Sequence, residues 1–589
     1  VFGVVSVWAL ARELCALDGP MHGLSAAFPL FAAGALAVMR WHVHFSRMGI
    51  EPVIVPLIWA AAMWLFLRGW RTGSLLSFAG SGVVLAAGMY TYQGAWVIPL
   101  LMVPTVGVLL VQQRLKITDS RLGREGSGSQ DRSGSPIFNL QSSVSRRLWG
   151  SAITAGVAFL LFLPLAFFFL RNVDLVFLRP TQLAVVGETG SPADSSVWSS
   201  VWRTLAMFWP LGQTGDLDPR RNLPGAPALD VWLALPFFAG LALALWCVRR
   251  PAYSIVLIGW IGLLLPGMVS EYAPHFHRIL GAAAPTALLI GMGLDGLWTR
   301  ATARRWHVHW LAPALLVLAL LTTTRDYFVR WAALPDLYYA FDQGFWEIGQ
   351  WSAENPEKTP RYISPRGDEH ATLAFAWRNL PADARPVTYD GRQIFPLTAA
   401  PVDHAEQYIA IEHEDFRTRL LLPEVFPDAT VAREFVDGTG AVYARVYTRP
   451  PGSVPQRAPR NPAPAELGDG IRMAGYDLLP ETPRPGEIGY VQLHWLVDAP
   501  PTRDWTVFVH LVGPDGTVVA SKDAPPGSGS LPTTRWQPGW RVLDEYHVPL
   551  PAELAAGEYT LRAGLYAADG SRLPTDAPGA DLGVISIAP

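Results

Sequence analysis

Residues 231–281 read VWLALPFFAGLALALWCVRRPAYSIVLIGWIGLLLPGMVSEYAPHFHRILG, and this stretch decides the architecture. Two apolar runs, 231–248 and 252–270, are separated only by Arg249, Arg250 and Pro251. A helix needs about 20 apolar residues to cross roughly 30 Å of hydrocarbon. The pair therefore reads as a helical hairpin through a membrane. A loop with two histidines and an arginine follows, and at 279 a further apolar run begins.

Working outward, runs of the same kind lie near 1–14, 22–39, 52–67, 74–90, 95–112 and 149–170 before the hairpin, and near 279–298 and 309–323 after it. Ten spans are expected. The chain as a whole is 50% hydrophobic and 16% charged, with mean hydropathy +0.22. That average hides a split: 1–322 is membrane-like, and 325–589 has the composition of an ordinary soluble protein.

Orientation follows from arginine and lysine. One side of the alternating topology holds Arg12, Arg68, Arg71, Arg249, Arg250, Arg300, Arg304 and Arg305. The same side has a 113–148 loop with Arg114, Lys116, Arg121, Arg124, Arg132, Arg146 and Arg147. The short loops opposite hold only Arg40, Arg47 and Arg278, and the longer segment 171–230 adds Arg171, Arg179, Arg203, Arg220 and Arg221. The first side is expected to be cytoplasmic, which places 325–589 outside a plasma membrane. Cys15 and Cys247, the two cysteines, then fall on the cytoplasmic side, and the outer domains fold without disulfides. REGSGSQDRSGS at 124–135 cannot bury a core and reads as disordered. The chain opens on Val1 inside an apolar run with no charged leader, so a missing N-terminal segment is expected. A net charge of -3 gives no reason to expect a nucleic-acid partner.

Beyond the spans, FWEIGQWSAEN predicts a helix, and QYIAIEH and AVYARVYT predict strands, so 325–458 reads as a small α/β domain. PRNPAPAE at 459–466 reads as a Pro-rich linker. From 467 to 589 the period changes to two: YVQLHWLV, TVFVHLV and YTLRAGLYA alternate between turn signals, with Asp515-Gly516 marking a hairpin. A β-sandwich is expected there. Its Trp495, Trp505, Trp536 and Trp540 are either platforms for sugar rings or core filling.

Walker A, GxSxG, HExxH and paired CxxC motifs are all missing. The chemistry-bearing residues gather at the outer ends of spans. RWHVHFSRMGIEP, 40–52, brings His42, His44, Arg47 and Glu51 to the interface. Ionisable groups at that depth tend to face a cavity. His42 and His44 are spaced i, i+2, which shares a strand face but not a helix face. MYTYQGAW, 89–96, contributes Tyr92 and Gln93; EYAPHFHRILG, 271–281, contributes His277 and Arg278; GDLDPRRNLPG, 215–225, contributes Asp216 and Asp218, or pairs them with Arg220 and Arg221. Arginine is a strong bidentate phosphate ligand, and a lipid phosphate lies at this depth. Arg47, Arg278 and His277 are the expected phosphate ligands, followed by Arg179, with His42, His44, Tyr92 and Gln93 lining the cavity.

In order, WHVHFSRMGI, GMYTYQGAWVIPLL, FLRPTQ, GDLDPRRNLPGAPALD and HFHRILGAAAP resemble blocks of bacterial glycosyltransferase family 39. This is the GT-C group that includes protein O-mannosyltransferases and aminoarabinose transferases. The resemblance implies a multi-span α-helical membrane domain followed by the extracytoplasmic α/β domain and the β-sandwich. It implies inverting transfer of a sugar from a polyprenyl-phosphate donor to an outer glycan, lipid or protein acceptor. It names no cofactor, and a divalent metal is compatible with it. In the family a carboxylate of the first outer loop, which would precede Val1, acts as general base. Glu51 occupies roughly the place of a second acidic residue, commonly Asp in relatives. A lipid-linked-sugar transporter, a membrane anchor for a binding sandwich, and an oligosaccharide polymerase or ligase are the alternatives. Against the transporter, polar residues gather at the outer edge rather than mid-span, and no internal repeat is visible.

Overall fold

The computed structural model describes residues 1–18, 24–125, 136–176, 196–304, 307–354, 360–574 and 577–589, with backbone alone for 18, 116–125, 136–143 and 307. The chain forms two compact units, Val1–Leu334 and Pro335–Pro589.

In the first unit every expected apolar run contains a helix. The helices are α1 (Phe2–Asp18), α2 (Phe28–Val38), α3 (Arg40–Met48), α4 (Val55–Thr72), α5 (Leu75–Met89), α6 (Val97–Glu125) and α7 (Pro136–Arg171). They continue with α8 (Val197–Ala206), α9 (Val231–Trp246), α10 (Pro251–Met268), α11 (Ala283–Ala303) and α12 (Leu311–Arg325). Among the described residues six segments are long and apolar enough to cross a membrane: Glu51–Thr72, Gln93–Leu115, Val144–Arg171, Pro251–Met268, Leu280–Ala303 and Val308–Trp331.

Two expectations change here. The run at 22–39 is helical only over Phe28–Val38, 11 residues, or about 16 Å at 1.5 Å per residue. Met39 is extended (φ -65, ψ 114), which ends α2 and lets Arg40 start a separate short helix in a new direction. At the other end, the last span does not stop near 323. A π-helical turn, Asp326–Trp331, continues α12, and the unit boundary falls after Leu334 rather than at 324/325.

The spans close on one apolar core containing Trp41, Trp59, Phe66, Phe237 and Leu289. Helix α9 packs on α11 through glycine. A Cβ on Gly240 would lie 1.8 Å from the carbonyl oxygen of Leu289, and one on Gly293 would lie 1.9 Å from that of Pro236. Backbones can approach this closely only where side chains are absent.

Among its described residues the second unit has three five-stranded sheets. The first runs in the order β2 (Val387–Thr388), β1 (Arg361–Ser364), β4 (Glu406–Ala410), β6 (Val442–Arg449), β5 (Thr430–Val436). β1 is parallel to both neighbours, as an α/β domain requires. The other two sheets share one apolar core that holds Trp495, Trp505, Trp536 and Trp540. One consists of β10 (Thr506–Val512), β11 (Val518–Ala524), β13 (Gly557–Tyr566), β14 (Arg572–Leu573) and β15 (Ala580–Ile587). Its facing sheet is ordered β3 (Ile394–Thr398), β12 (Trp540–Pro549), β9 (Ile488–Val497), β8 (Ile471–Leu479), β7 (Asn461–Gly468).

The four tryptophans are at most 5% exposed, so they are core filling and not sugar platforms. Two boundaries also differ from expectation. The stretch 459–466 is not a linker: from Asn461 it is strand β7, at the sheet edge, where prolines cost no ladder hydrogen bond on the open side. Strand β3 comes from within the α/β segment yet pairs with β12 of the sandwich, so the two expected domains share a sheet.

A candidate polar rim at one end of the helical unit

Three connections meet at one end of the spans. They are 215–225, 271–281 and the α3 segment, with the turn at 90–93 beside them. Asp216 holds the first two together. Its buried carboxylate accepts from the backbone N–H of Phe276 (3.0 Å) and from Arg221 Nε (2.8 Å) on one oxygen. The other oxygen accepts from the Asp218 N–H (3.0 Å) and Arg221 Nη2 (3.1 Å). Four donors satisfy a buried charge that would otherwise be costly. Asp218 accepts from the backbone and side chain of Arg220 and from Arg221. Burial opposes ionisation of Asp218, but these donors and charges win and hold its carboxyl below its ordinary range. The pairing of Asp216 and Asp218 with Arg220 and Arg221 is therefore the arrangement adopted.

Helix α3 and the π-turn brace the same loop. His44 Nε2 lies 2.9 Å from the carbonyl of Arg220, which can only accept, so Nε2 carries the hydrogen. The ring packs edge-on against Tyr327 and Trp331. Trp331 Nε1 donates to Pro219 O (2.7 Å), and Trp41 Nε1 donates to Phe276 O (3.2 Å). Arg40 is buried, donates to Asn222 Oδ1 (2.8 Å) and to Pro227 O, and lies 4.0 Å from Asp326. None of Asp326, Tyr327 and Trp331 was legible as part of this region, because the sequence turns polar at Arg325 and reads as the start of a soluble domain.

His42 and His44 do not line one cavity. Their segment is helical, so two positions apart they point to different faces. His42 faces α1, where a Cβ on Gly3 would lie 3.6 Å from its Nε2, and burial pushes its imidazole down to about 4. His44 is a brace, as described. Arg47 is exposed, with its guanidinium 5.2 Å from the Phe328 ring and 5.8 Å from that of Tyr327. Arg179 lies outside the described residues.

A different subset does converge. His277 lies between Phe45 and Tyr92, with ring centroids 6.1 and 5.8 Å away, and its Nε2 is buried without a partner among the described residues. His275 has a similarly unpartnered Nδ1 and lies 5.9 Å from His277. Half-buried Arg278 donates to Glu271 O (3.0 Å), which leaves most of its N–H groups for other acceptors. Burial, reinforced by the charges of Arg221 and Arg278, keeps both imidazoles neutral: His275 falls to about 2, and His277 falls below its ordinary 6.5. Burial raises the Tyr92 phenol, while Arg278 pulls it down and Glu51 adds to the rise. Glu51 is exposed and acts on both Tyr92 and His277. Gln93 is half-buried and opens the 3-10 turn Gln93–Trp96 directly after Tyr92.

Beside this cluster a cavity of about 720 Å³ is lined by Trp202, Arg203, Gln213, Asp218, Arg221 and Tyr272, among others. That volume lies within the range of small-molecule sites. Tyr272, at its edge, is held at φ 58, a conformation that non-glycine residues rarely adopt. Among the described residues no three His, Cys, Asp or Glu side chains are grouped to hold a metal ion.

No family model and no curated protein matches the sequence. Among solved structures, the chain is similar to ArnT from Cupriavidus metallidurans bound to undecaprenyl phosphate. The identity is 14% over 76% of this chain and 82% of that one, with a TM-score of 0.35. It is also similar to the arabinofuranosyltransferase AftD from Mycobacteria, at 12% identity over all of this chain and 55% of that one, with a TM-score of 0.34.

Proposed function

We propose that this chain is a membrane glycosyltransferase that moves a sugar from a polyprenyl-phosphate donor to an acceptor outside the membrane. The observation that carries this reading is the pairing of half-buried Arg278 and Arg221 with two neutral imidazoles that retain open hydrogen-bonding atoms, at the ends of membrane spans. A partly desolvated cation at that depth is suited to a phosphate whose lipid tail stays in the hydrocarbon. The arginine distribution supports an exterior site, where nucleotide sugars are not supplied and a lipid-borne donor is. The sequence blocks similar to glycosyltransferase family 39 support the same class.

In this reaction an acceptor hydroxyl oxygen bonds to the anomeric carbon, and the bond from that carbon to the phosphate oxygen breaks. The hydroxyl proton passes to a carboxylate, and polyprenyl phosphate leaves with the electron pair. Arg278 stabilises the charge growing on the departing phosphate. His277 Nε2 and the Tyr92 hydroxyl orient it as neutral hydrogen-bonding groups. Glu51, the exposed carboxylate of the rim, is the acid–base group assigned from this sequence. Arg47 is a secondary phosphate contact.

The test is donor consumption by the full-length protein in nanodiscs, with a polyprenyl-phosphate-linked sugar and envelope extract as the acceptor source. The wild type releases polyprenyl phosphate, and Arg278→Ala does not, while retaining its elution profile. Undiminished release by that variant removes Arg278 from the site.

A further inference from the structure

Helix α8 has three distinct faces. Trp198 (81% exposed), Trp202 (73%) and Leu205 (36%) lie on one, at i, i+4 and i+7. Ser200 and Thr204, both buried, face the protein. Half-buried Ser199 and exposed Arg203 form the third. The pattern inverts that of a surface helix in a water-soluble protein, whose apolar stripe faces inward. Here the small polar residues face inward and the tryptophans face outward.

The outward apolar face is continuous with the surface of the spans. Trp209, just beyond α8, packs on Phe238 of α9 with centroids 5.9 Å apart. Phe238 shares an exposed apolar face with Val231 and Leu235 at the same end of α9. Helix α8 also packs against α10, whose Ile261 and Leu265 are exposed. Apolar residues exposed on spanning helices meet lipid, and α8 extends that surface sideways at the rim.

We infer that α8 lies in the plane of the membrane as an interfacial helix, docked on the lipid of the outer leaflet. Trp198, Trp202 and Leu205 sit at the boundary of headgroups and acyl chains, the level tryptophan favours. Arg203 sits at the level of the lipid phosphates and attracts anionic headgroups. Trp202, Arg203 and Ala206 also line the 720 Å³ cavity, so its mouth opens at headgroup level and admits a ligand carried along the membrane surface. This inference rests on the membrane-spanning reading of the flanking helices and not on the transferase reading.

The test is a depth profile by site-directed spin labelling of the full-length protein in phosphatidylethanolamine–phosphatidylglycerol nanodiscs, with Cys15 and Cys247 replaced by serine. Nitroxides are attached through W198C, W202C, L205C, S199C and R203C, and S200C reports folding. The expected result is higher accessibility to oxygen than to a water-soluble nickel chelate at 198, 202 and 205. The reverse is expected at 199 and 203, with low accessibility to both at 200. Nickel accessibility exceeding that of oxygen at 198 and 202 overturns the inference, as does a uniform profile around the helix. Neither result depends on transfer activity, so failure here leaves the transferase reading to its own test.

Discussion

The carboxylate of Asp216 accepts the backbone N–H of Phe276 at 3.0 Å and in that way fastens the 215–225 loop to the loop that carries His275, His277 and Arg278. Because Arg221 donates to the same carboxylate, one buried residue sets both the backbone and a cation of the rim. Asp216→Ala leaves the Phe276 N–H without its acceptor and leaves the Arg221 guanidinium with Asp218 alone. The expected cost is on the order of 1–3 kcal/mol, read as a lower Tm in detergent, together with loss of transfer. Asp216→Asn keeps the acceptor for Phe276 but loses the charge and falls between the two. An unchanged Tm for the alanine variant contradicts the latch.

Arg278 and Arg47 were equivalent phosphate candidates in the sequence, and the structure separates them. Arg278 is half-buried beside Tyr92 and His277, whereas Arg47 is exposed on the Phe328 and Tyr327 rings. Arg278→Ala is expected to abolish transfer, and Arg47→Ala to reduce it only a few-fold. A screened, exposed charge contributes less than a desolvated one. Donor turnover measured side by side decides between them, and a larger loss from Arg47→Ala reverses the assignment.

In the proposed reaction His277 serves as a neutral ring. Burial holds its protonation below 6.5, so the imidazole is uncharged throughout the neutral range. The rate should therefore show no inflection near pH 6.5 that His277→Gln removes. Such an inflection would mean that the ring is a cation at work.

In the second unit, Asp544 accepts from the Tyr546 hydroxyl (2.5 Å) and the Gly527 N–H (3.0 Å), and burial pushes its carboxyl up to about 7 from 3.8. The unfolded chain loses this proton near 3.8 and the folded chain keeps it until about 7, so between these values the native state binds more protons. Stability contributed by this group is complete below 3.8 and is lost as pH rises toward 7. Asp544→Asn should remove that decline, seen as a flatter dependence of Tm on pH than in the wild type. Parallel curves for the two proteins would show that Asp544 titrates normally.

The helices and the strands of the second unit were legible from apolar run length and from the period of two, because both follow from burial alone. The rest depended on direction and context. His42 and His44 looked like a pair, but a helix turns them apart and assigns one to α1 and the other to the Arg220 carbonyl. Asp326, Tyr327 and Trp331 looked like the start of a soluble domain because the sequence becomes polar there, yet the helix simply continues. Pro462 and Pro464 suggested a linker, but an edge strand tolerates proline where a central strand does not.

The central claim is that the rim faces the exterior, and Leu217 reports it most directly. It is 68% exposed on the 215–225 loop and lines the cavity. Leu217→Cys, in full-length protein with Cys15 and Cys247 replaced by serine, would be treated in intact cells with a membrane-impermeant thiol reagent. The account predicts labelling without permeabilisation. Labelling only after the membrane is opened would put the rim in the cytoplasm and contradict a lipid-phosphate donor met from outside.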